Sequence, residues 1–301
     1  MNGIIIVDKQ AGITSFDVVA RLRKITGERK IGHAGTLDPM ATGVLPVFLG
    51  SATKAVGLLP CQDKRYEAAF RLGTTTDTGD ITGRLLSSSP VNVGADEVLL
   101  AAEAFSGVIL QVPPMYSAIK QNGKRLYELA RRGIEVERQP REINVYEMKL
   151  KAYDAKSCEY TIEVFCSKGT YIRTLITDIG EKLGCGAVMT SLRRTFASGF
   201  AIGGALTLET IAAAAAQGRL QNCVMDTETP FLPLCEVQVT SKQAVRFKNG
   251  GPLSLDRLDA QPLGALCRVK CGGGLIGLGM VDEDSRELRI KCLFAGSEIQ
   301  N

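Results

Sequence analysis

Apolar and polar positions along the chain predict its first elements. The apolar run Gly3–Val7 predicts an opening strand. Residues Ser15–Thr26 follow a helical period and predict an amphipathic helix capped by Thr14 or Ser15. The apolar face of this helix is predicted to hold Phe16, Val18, Val19, Leu22 and Ile25. Alternation over Lys64–Leu72 predicts a strand whose buried face holds Tyr66, Ala68, Phe70 and Leu72.

Helices and strands remain mixed through the middle of the chain. Helical patterns cover four further segments, Ala95–Phe105, Leu126–Arg132, Thr170–Leu183 and Leu206–Gln217. Strand patterns cover Ile143–Tyr153 and Glu159–Cys166. Because strands and helices do not alternate regularly, the pattern favours an α+β fold over a doubly wound one.

The character of the sequence changes at the proline-rich stretch Thr229–Pro233. Beyond it glycine is dense, and short apolar runs lie between the glycines, at Ala265–Val269, Leu275–Val281 and Leu288–Phe294. This spacing is typical of short strands joined by turns. The sequence therefore predicts two domains, residues 1–230 and a small β-rich domain at residues 236–301.

Composition narrows the class of protein. The 301 residues are 45% hydrophobic and 23% charged, which is an ordinary globular balance. No run is long and apolar enough to span a bilayer. The first residues, Met1–Lys9, lack the basic region of a signal peptide. We therefore expect a cytoplasmic protein with no membrane partner.

Cysteine spacing argues against a zinc site. The nine cysteines include no Cys-x-x-Cys pair. The nearest two, Cys267 and Cys271, have no second pair and no histidine close in sequence. We expect no metal ion, and we expect thiols that stay reduced and behave as small hydrophobic groups.

The net charge of +4, with a pI near 8.5, is mildly basic. Seven basic residues face three acidic ones between Lys120 and Arg141, so this short segment alone carries an excess equal to that of the whole chain. Clustered positive charge is typical of a nucleic-acid contact. A solvated helix and loop would account for the cluster equally well.

The most informative segment is Gly32–Val47, which holds Asp38 and the single histidine of the chain, His33. Its glycines and prolines predict a shaped loop, and Pro39 favours extended backbone at Asp38. A carboxylate on a rigid loop between buried elements suits catalysis. A simple Asp-Pro turn is the alternative for Asp38 considered alone.

The full string of sixteen residues resembles the signature loop of the bacterial TruB-type tRNA pseudouridine synthases, and the resemblance extends along nearly the whole chain. It implies that uridine 55 in the T-loop of tRNA is isomerised to pseudouridine. It implies a mixed or antiparallel-sheet pseudouridine synthase catalytic domain followed by a small PUA-like RNA-binding domain. In this family the aspartate of the loop is catalytic, and it corresponds to Asp38.

The resemblance also implies roles for further residues. Tyr66 corresponds to a base-stacking tyrosine, although its alternation pattern also suits a buried core position. Arg173 lies in the first turn of a predicted helix, where the dipole disfavours a cation, so an anion such as Asp38 or a phosphate should compensate it. An ordinary surface position is the alternative for Arg173 considered alone. The resemblance pairs it with Asp38. It assigns RNA or substrate contacts to His33, Tyr171, Leu192, Lys120 and Arg193.

The reaction breaks a C–N glycosidic bond and forms a C–C bond without redox change, so we expect no cofactor. The expected partner is tRNA, bound through its T-arm, and no protein partner is implied. Two other readings remain open. One is a tRNA-binding folding factor with secondary catalysis, and the other is a nucleosidase-like hydrolase that would leave the RNA-facing segments unexplained.

Overall fold

The computed structural model describes residues 1–154, 156–258 and 264–294. Its first strands are β1 (Gly3–Lys9), β2 (Ile31–His33), β3 (Thr42–Leu49), β4 (Lys64–Leu72), β5 (Thr74–Thr76), β6 (Leu85–Ser88), β7 (Gly107–Gln111), β8 (Lys120–Gln121) and β9 (Lys124–Arg125). The later strands are β10 (Arg141–Asp154), β11 (Glu159–Cys166), β12 (Ala187–Ala197), β13 (Phe200–Ala201), β14 (Glu236–Gln238), β15 (Leu253–Ser254), β16 (Leu266–Cys271), β17 (Gly274–Asp282) and β18 (Glu287–Leu293). The α-helices are α1 (Ser15–Thr26), α2 (Ala95–Glu103), α3 (Leu126–Ala130), α4 (Ile172–Lys182), α5 (Leu208–Ala216) and α6 (Ser241–Lys248).

A mixed sheet organises the larger part of the described chain. Its strands follow the order β1-β3-β12-β4-β11-β10-β7, with β2 beside β3 and β13 beside β12. Neighbouring strands run antiparallel except β3 and β12, which pair in parallel through Arg193–Thr42 and Arg194–Gly43. This sheet with its flanking helices confirms the α+β class.

Strand β4 shows why the alternation in its sequence is informative. Tyr66, Ala68, Phe70 and Leu72 all lie on the buried face, as predicted. They pack in one cluster with the apolar stripe of α4, which includes Leu175 and Ile179. One face of the sheet is therefore covered by α4, and Tyr66 of β4 and Leu192 of β12 lie on that same face.

Helix α1 has the predicted bounds, with one error on its apolar face. Thr14 caps it in a reciprocal hydrogen-bonded box with Asp17, and Gly27 ends it in the left-handed conformation. Val18 and Leu22 are buried, but Phe16 is 67% exposed. Two residues before Val18 is about 200° around the helix, so Phe16 lies on the opposite side and was wrongly assigned to the core face.

Other boundaries differ by a few residues, and one central strand was not anticipated. Helix α4 begins at Ile172, with Tyr171 as its N-cap, and α5 begins at Leu208 after Thr207. Strand β12 lies in the centre of the sheet. Bulges after Met189 and after Arg194 break its two-residue period, so the sequence shows no clean alternation there.

A second sheet, in the order β14-β16-β17-β18-β15, forms the C-terminal part, and α6, which the pattern did not predict, packs against it. This sheet does not stand apart from the first. Leu278, Cys292 and Phe294 share one buried cluster with Phe48 of β3 and with Phe231. The domain limits 1–230 and 236–301 and the PUA-like character stay predictions, and residues 295–301 lie outside the described part of the chain.

Candidate active site

The segment between β2 and β3 presents Asp38 on a loop that is fastened at both ends. The Ala34 N–H donates to the Pro46 carbonyl at 2.9 Å, and the Ala41 N–H donates to the Asp38 carbonyl at 3.1 Å. In the middle, the Leu37 N–H donates to the Ser15 hydroxyl at 2.9 Å. The start of α1 thus fixes the residue immediately before Asp38.

Two buried cations hold the carbonyl groups of this loop. Arg194 is fully buried and donates to the carbonyls of Gly35 at 3.0 Å and Thr36 at 3.3 Å, and to that of Val44 at 2.8 Å. Lys9 is also fully buried, and its ammonium donates to the Pro39 carbonyl at 3.2 Å. Burial lowers the pKa of Lys9 to about 8.

These supports were missed in the sequence. Lys9 and Arg194 are ordinary charged residues at the edge of apolar runs, and their partners are backbone carbonyls, which no side-chain motif records. The family resemblance had instead assigned an RNA contact to the adjacent Arg193. The structure shows that the buried member of the Arg193–Arg194 pair is the one that holds the loop of Asp38.

The predicted contact between Asp38 and Arg173 is present. The Arg173 Nε lies 2.9 Å from Asp38 Oδ2. Arg173 is 5% exposed, whereas the Asp38 side chain is 37% exposed. The carboxylate is therefore held from the protein side and remains accessible from the other side.

The other nitrogens of Arg173 are also engaged. Nη1 donates to the Thr78 carbonyl at 2.9 Å, and Nη2 donates to the Tyr116 carbonyl at 2.7 Å. Asp80 is also buried, with Oδ2 3.8 Å from the Arg173 Nε. Two carboxylates thus compensate a cation in the first turn of α4, where the dipole alone would disfavour it.

Tyr66 and Leu192 lie on the same face of the sheet as this pair. Tyr66 is opposite Arg194 in the register of β4 and β12, and Leu192 is opposite Ala68. Tyr66 is buried, which raises the pKa of its phenol, while the positive charge of Arg194 opposes that rise. The Asp38 charge also acts on this phenol, so Tyr66, Arg194 and Asp38 form one electrostatic group.

Tyr171 belongs to the same group through the start of α4. Burial raises the pKa of its phenol, which also feels the charges of Asp38 and Arg173. Its backbone is held by the side chain of Gln111 at the end of β7. Neither the role of Gln111 nor its link to α4 was anticipated.

His33 ends β2, five residues before Asp38. Its Nδ1 is buried and has no hydrogen-bond partner within the part of the chain that the structure describes. Burial lowers the pKa of His33, and the nearby Arg194 lowers it further. Both effects favour the neutral form of the imidazole, and Nδ1 is left as an unused polar atom among the described residues.

Two of the predicted RNA contacts lie elsewhere. Arg193 points to the opposite face from Arg194 and binds Asp8, with Nη2 2.8 Å from Oδ2. Lys120 is exposed on the β8–β9 hairpin and lines a cavity of about 220 Å³ together with Arg138 and Arg141. The structure does not bring these two cations to Asp38, and their contact with RNA stays a prediction.

The described ranges hold neither a cluster of metal-ligating side chains nor a helix that could span a membrane. No group of three or more histidine, cysteine, aspartate or glutamate residues is placed there to hold a metal ion. The cysteines described are all free of disulfide bonds. No helix within those ranges has the length and apolar character needed to cross a membrane.

Known protein families match most of the chain. The family described as TruB family pseudouridylate synthase (N terminal domain) matches residues 23–172. The tRNA pseudouridylate synthase B C-terminal domain matches residues 173–231. Both matched segments contribute to the site, because Asp38 lies in the first and Arg173 in the second.

Individual relatives match over nearly their whole length. The tRNA pseudouridine synthase B of Salmonella arizonae is 42% identical over 299 residues, covering 95% of this chain and 93% of that protein. The protein of the same name from Geotalea uraniireducens is 43% identical, with 92% and 91% covered. A solved structure, described as a crystal structure of a Cbf5-Nop10-Gar1 complex, matches 99% of this chain and 86% of its own, with 27% identity and a TM-score of 0.76. Such similarity over the full chain means that this protein belongs to the TruB family of pseudouridylate synthases.

Proposed function

We propose that this chain isomerises uridine to pseudouridine at position 55 in the T-loop of tRNA, with Asp38 as the catalytic carboxylate. The observation that carries the proposal is the Asp38–Arg173 contact of 2.9 Å, made by a buried guanidinium to a carboxylate that stays accessible. Membership of the family and the names of its relatives support the reaction and the RNA substrate.

The geometry suits the chemistry that the reaction needs. Pseudouridine formation requires that the bond between C1′ of the ribose and a nitrogen of the base breaks, and that a bond between C1′ and a carbon of the same base forms. A carboxylate serves by attacking the sugar or the base, or by stabilising a cationic sugar. Arg173 holds one oxygen of Asp38 at a fixed position, so the other oxygen is oriented before the substrate arrives.

A uridine in a folded T-loop is stacked and must be extruded at a cost of a few kcal/mol. We assign Tyr66 to stacking against the flipped base, a contact worth about 1–3 kcal/mol, and Leu192 to the adjoining apolar wall. Both lie on the same sheet face as Arg194. Tyr171 lines the pocket from the start of α4. His33, whose Nδ1 has no partner among the described residues and whose burial favours the neutral imidazole, is assigned to the vacated stack in the RNA.

Contacts outside the pocket would position the tRNA. Lys120 lies in the basic segment that ends at Arg141, and we assign it to the phosphate backbone of the T-arm. Arg193 reaches RNA only if its pair with Asp8 opens or is shared, because both guanidinium Nη atoms already contact that carboxylate. The β-rich region from residue 236 onward is proposed to be the PUA-like module that binds another part of the tRNA.

The test is a single-turnover assay of pseudouridine formation in an unmodified T-arm transcript, with Asp38→Asn as the variant. We expect the rate to fall by more than about 1000-fold, while the tRNA Kd changes little, because the amide keeps the shape but not the charge. Asp77→Asn is the matched control. Asp77 lies in the neighbouring turn, where it accepts from the Arg84 N–H, and the variant should stay within about threefold of wild type.

The outcome separates the enzyme from the folding factor. A folding factor with secondary catalysis predicts that Asp38→Asn retains both tRNA binding and its effect on tRNA folding, and that wild-type turnover is minor. Turnover of Asp38→Asn within about tenfold of wild type would remove Asp38 from the catalytic role.

A further inference from the structure

Gln111 makes an unusual contact across the site. Its side chain is buried, with 2% exposed, at the last position of β7. Nε2 donates to the Tyr171 carbonyl at 3.1 Å, and Oε1 accepts from the Tyr171 N–H at 2.8 Å. One carboxamide therefore holds both backbone groups of a residue that is 60 positions away in sequence.

The residue that Gln111 holds is the N-cap of α4. Helix starts are commonly fixed by a capping side chain, and Tyr171 provides no such hydrogen bond. Gln111 fixes the start of α4 from outside the helix. Arg173 follows two residues later in the first turn, so the position of its guanidinium depends on how that turn is anchored.

The segment that follows Gln111 makes a second hydrogen bond to the first turn of α4. Its Tyr116 carbonyl accepts from Arg173 Nη2 at 2.7 Å. Pro113 and Pro114 restrict the backbone between the two contacts. Residues 111–117, which we call the strap, therefore hold both the backbone of Tyr171 and the side chain of Arg173.

The strap is also bonded to the basic segment that we assign to RNA. The Arg138 Nη1 donates to the Pro113 carbonyl at 3.3 Å, and the Tyr127 N–H donates to the Ser117 carbonyl at 3.1 Å. Displacement of the basic segment would thus act on the backbone that carries the Arg173 contact.

We propose that Gln111 is a positioning residue for the isomerisation, which orients Arg173 against Asp38 by clamping the backbone of Tyr171. This inference rests on the proposed function of the same site. Gln111 touches no substrate in this account and acts through α4. Its loss should therefore slow the chemical step more than it weakens tRNA binding.

The variant is Gln111→Met, which keeps the length of the side chain and removes both hydrogen bonds. We expect the single-turnover rate at saturating enzyme to fall by about 10- to 100-fold, because misplacement of a catalytic group by about 1 Å costs about 100-fold. The Kd for tRNA should change less than about threefold. A general loss of folding would not lower the saturating rate while leaving the Kd for tRNA nearly unchanged.

Thr207→Val is the matched control. Thr207 fixes the start of α5 by accepting from the Thr210 N–H at 3.2 Å, and α5 packs in the cluster of α1 and β1. Both variants should lower the Tm, and only Gln111→Met should lower the saturating rate. A rate for Gln111→Met within threefold of wild type, or a fall that Thr207→Val shares, overturns the proposal.

If Gln111→Met does not fold, Gln111→Glu decides by the same criteria, since it keeps the volume and the acceptor for the Tyr171 N–H.

Failure of the proposed function would give a different set of results. In that case wild type forms no pseudouridine in the transcript, or Asp38→Asn remains active. Failure of the present inference leaves wild type active, Asp38→Asn inactive and Gln111→Met as fast as wild type.

Discussion

Three cationic side chains contact the loop of Asp38, and each of them binds a different group of that loop. Arg173 binds the carboxylate, Arg194 binds the carbonyls of Gly35 and Thr36, and Lys9 binds the carbonyl of Pro39. A buried cation is costly unless hydrogen bonds replace its hydration. Loop carbonyls provide that replacement here, so the same contacts that satisfy the cations also define the shape of the loop.

The field of Arg194 gives a testable property of His33. Burial and the Arg194 charge both disfavour the imidazolium, so the folded pKa lies below the ordinary value of about 6.5. The folded state then binds fewer protons than the unfolded state between the folded pKa and about 6.5. The contribution of His33 to stability is therefore complete above about pH 6.5 and declines as the pH falls towards the folded pKa.

A pH titration of the imidazole resonances by NMR measures this directly, because the chain has a single histidine. We expect a midpoint below 6.5 in the folded protein and a return to about 6.5 in urea. A folded midpoint at or above the unfolded one would contradict the described environment of His33.

Elements set by local signals were predictable, whereas elements set by distant partners were not. The cap at Thr14 and the stop at Gly27 define α1 within a few residues of sequence. Strand β12 instead depends on bulges against β4 and on Arg194, whose carbonyl partner at Val44 lies 150 positions earlier. The Asp38–Arg173 contact was predictable because the family resemblance and the helix dipole pointed to the same arginine, while Gln111 and Lys9 had neither signal.

The parallel pairing of β3 and β12 should depend on Gly43. Its backbone has φ +101°, and a Cβ there would clash with the backbone oxygen of Arg194. We expect Gly43→Ala to destabilise the protein by more than about 2 kcal/mol and to slow catalysis, because the strands must separate and Arg194 must move.

Urea denaturation of Gly43→Ala and Gly57→Ala provides the measurement. Gly57 lies in a short 3-10 helix, and a Cβ there would have no neighbour within 4 Å. Its replacement by alanine should change the free energy of unfolding by less than about 1 kcal/mol. Equal effects from the two substitutions would show that the close approach at Gly43 is not limiting.

At the scale of the whole molecule, the C-terminal sheet and the first sheet share buried surface. Phe294 and Leu278 pack in one cluster with Phe231 and Phe48. The proline-rich stretch near residue 230 was visible in the sequence because linkers differ from folded segments in composition. The shared cluster was not predictable in the same way, because its members are far apart along the chain.

Deletion from Glu236 onward should therefore have two effects. The truncated protein should have a lower Tm, because it exposes the apolar side chains that the C-terminal sheet covers. Its single-turnover rate on an isolated T-arm hairpin should persist, since Asp38, Tyr66 and Arg173 all precede the deletion, while KM for full tRNA should rise.

The prediction is tested by measuring the single-turnover rate and KM of the truncated protein on the hairpin and on full tRNA. Circular dichroism first establishes that the truncated protein is folded. Unchanged affinity for full tRNA would remove the accessory RNA-binding role of the deleted region. Loss of the saturating rate on the hairpin would instead show that the C-terminal sheet is needed for the site itself.

The insertion of β12 between β3 and β4 has a consequence for synthesis of the protein on the ribosome. Strands β1, β3 and β4 emerge early, but β3 and β4 are joined only through a strand that ends at Ala197. A nascent chain shorter than this holds two open sheet edges, which are prone to wrong pairing. Asp38 is translated long before Arg173 and Arg194, so the growing polypeptide can bring these three residues together only after synthesis has passed Arg194.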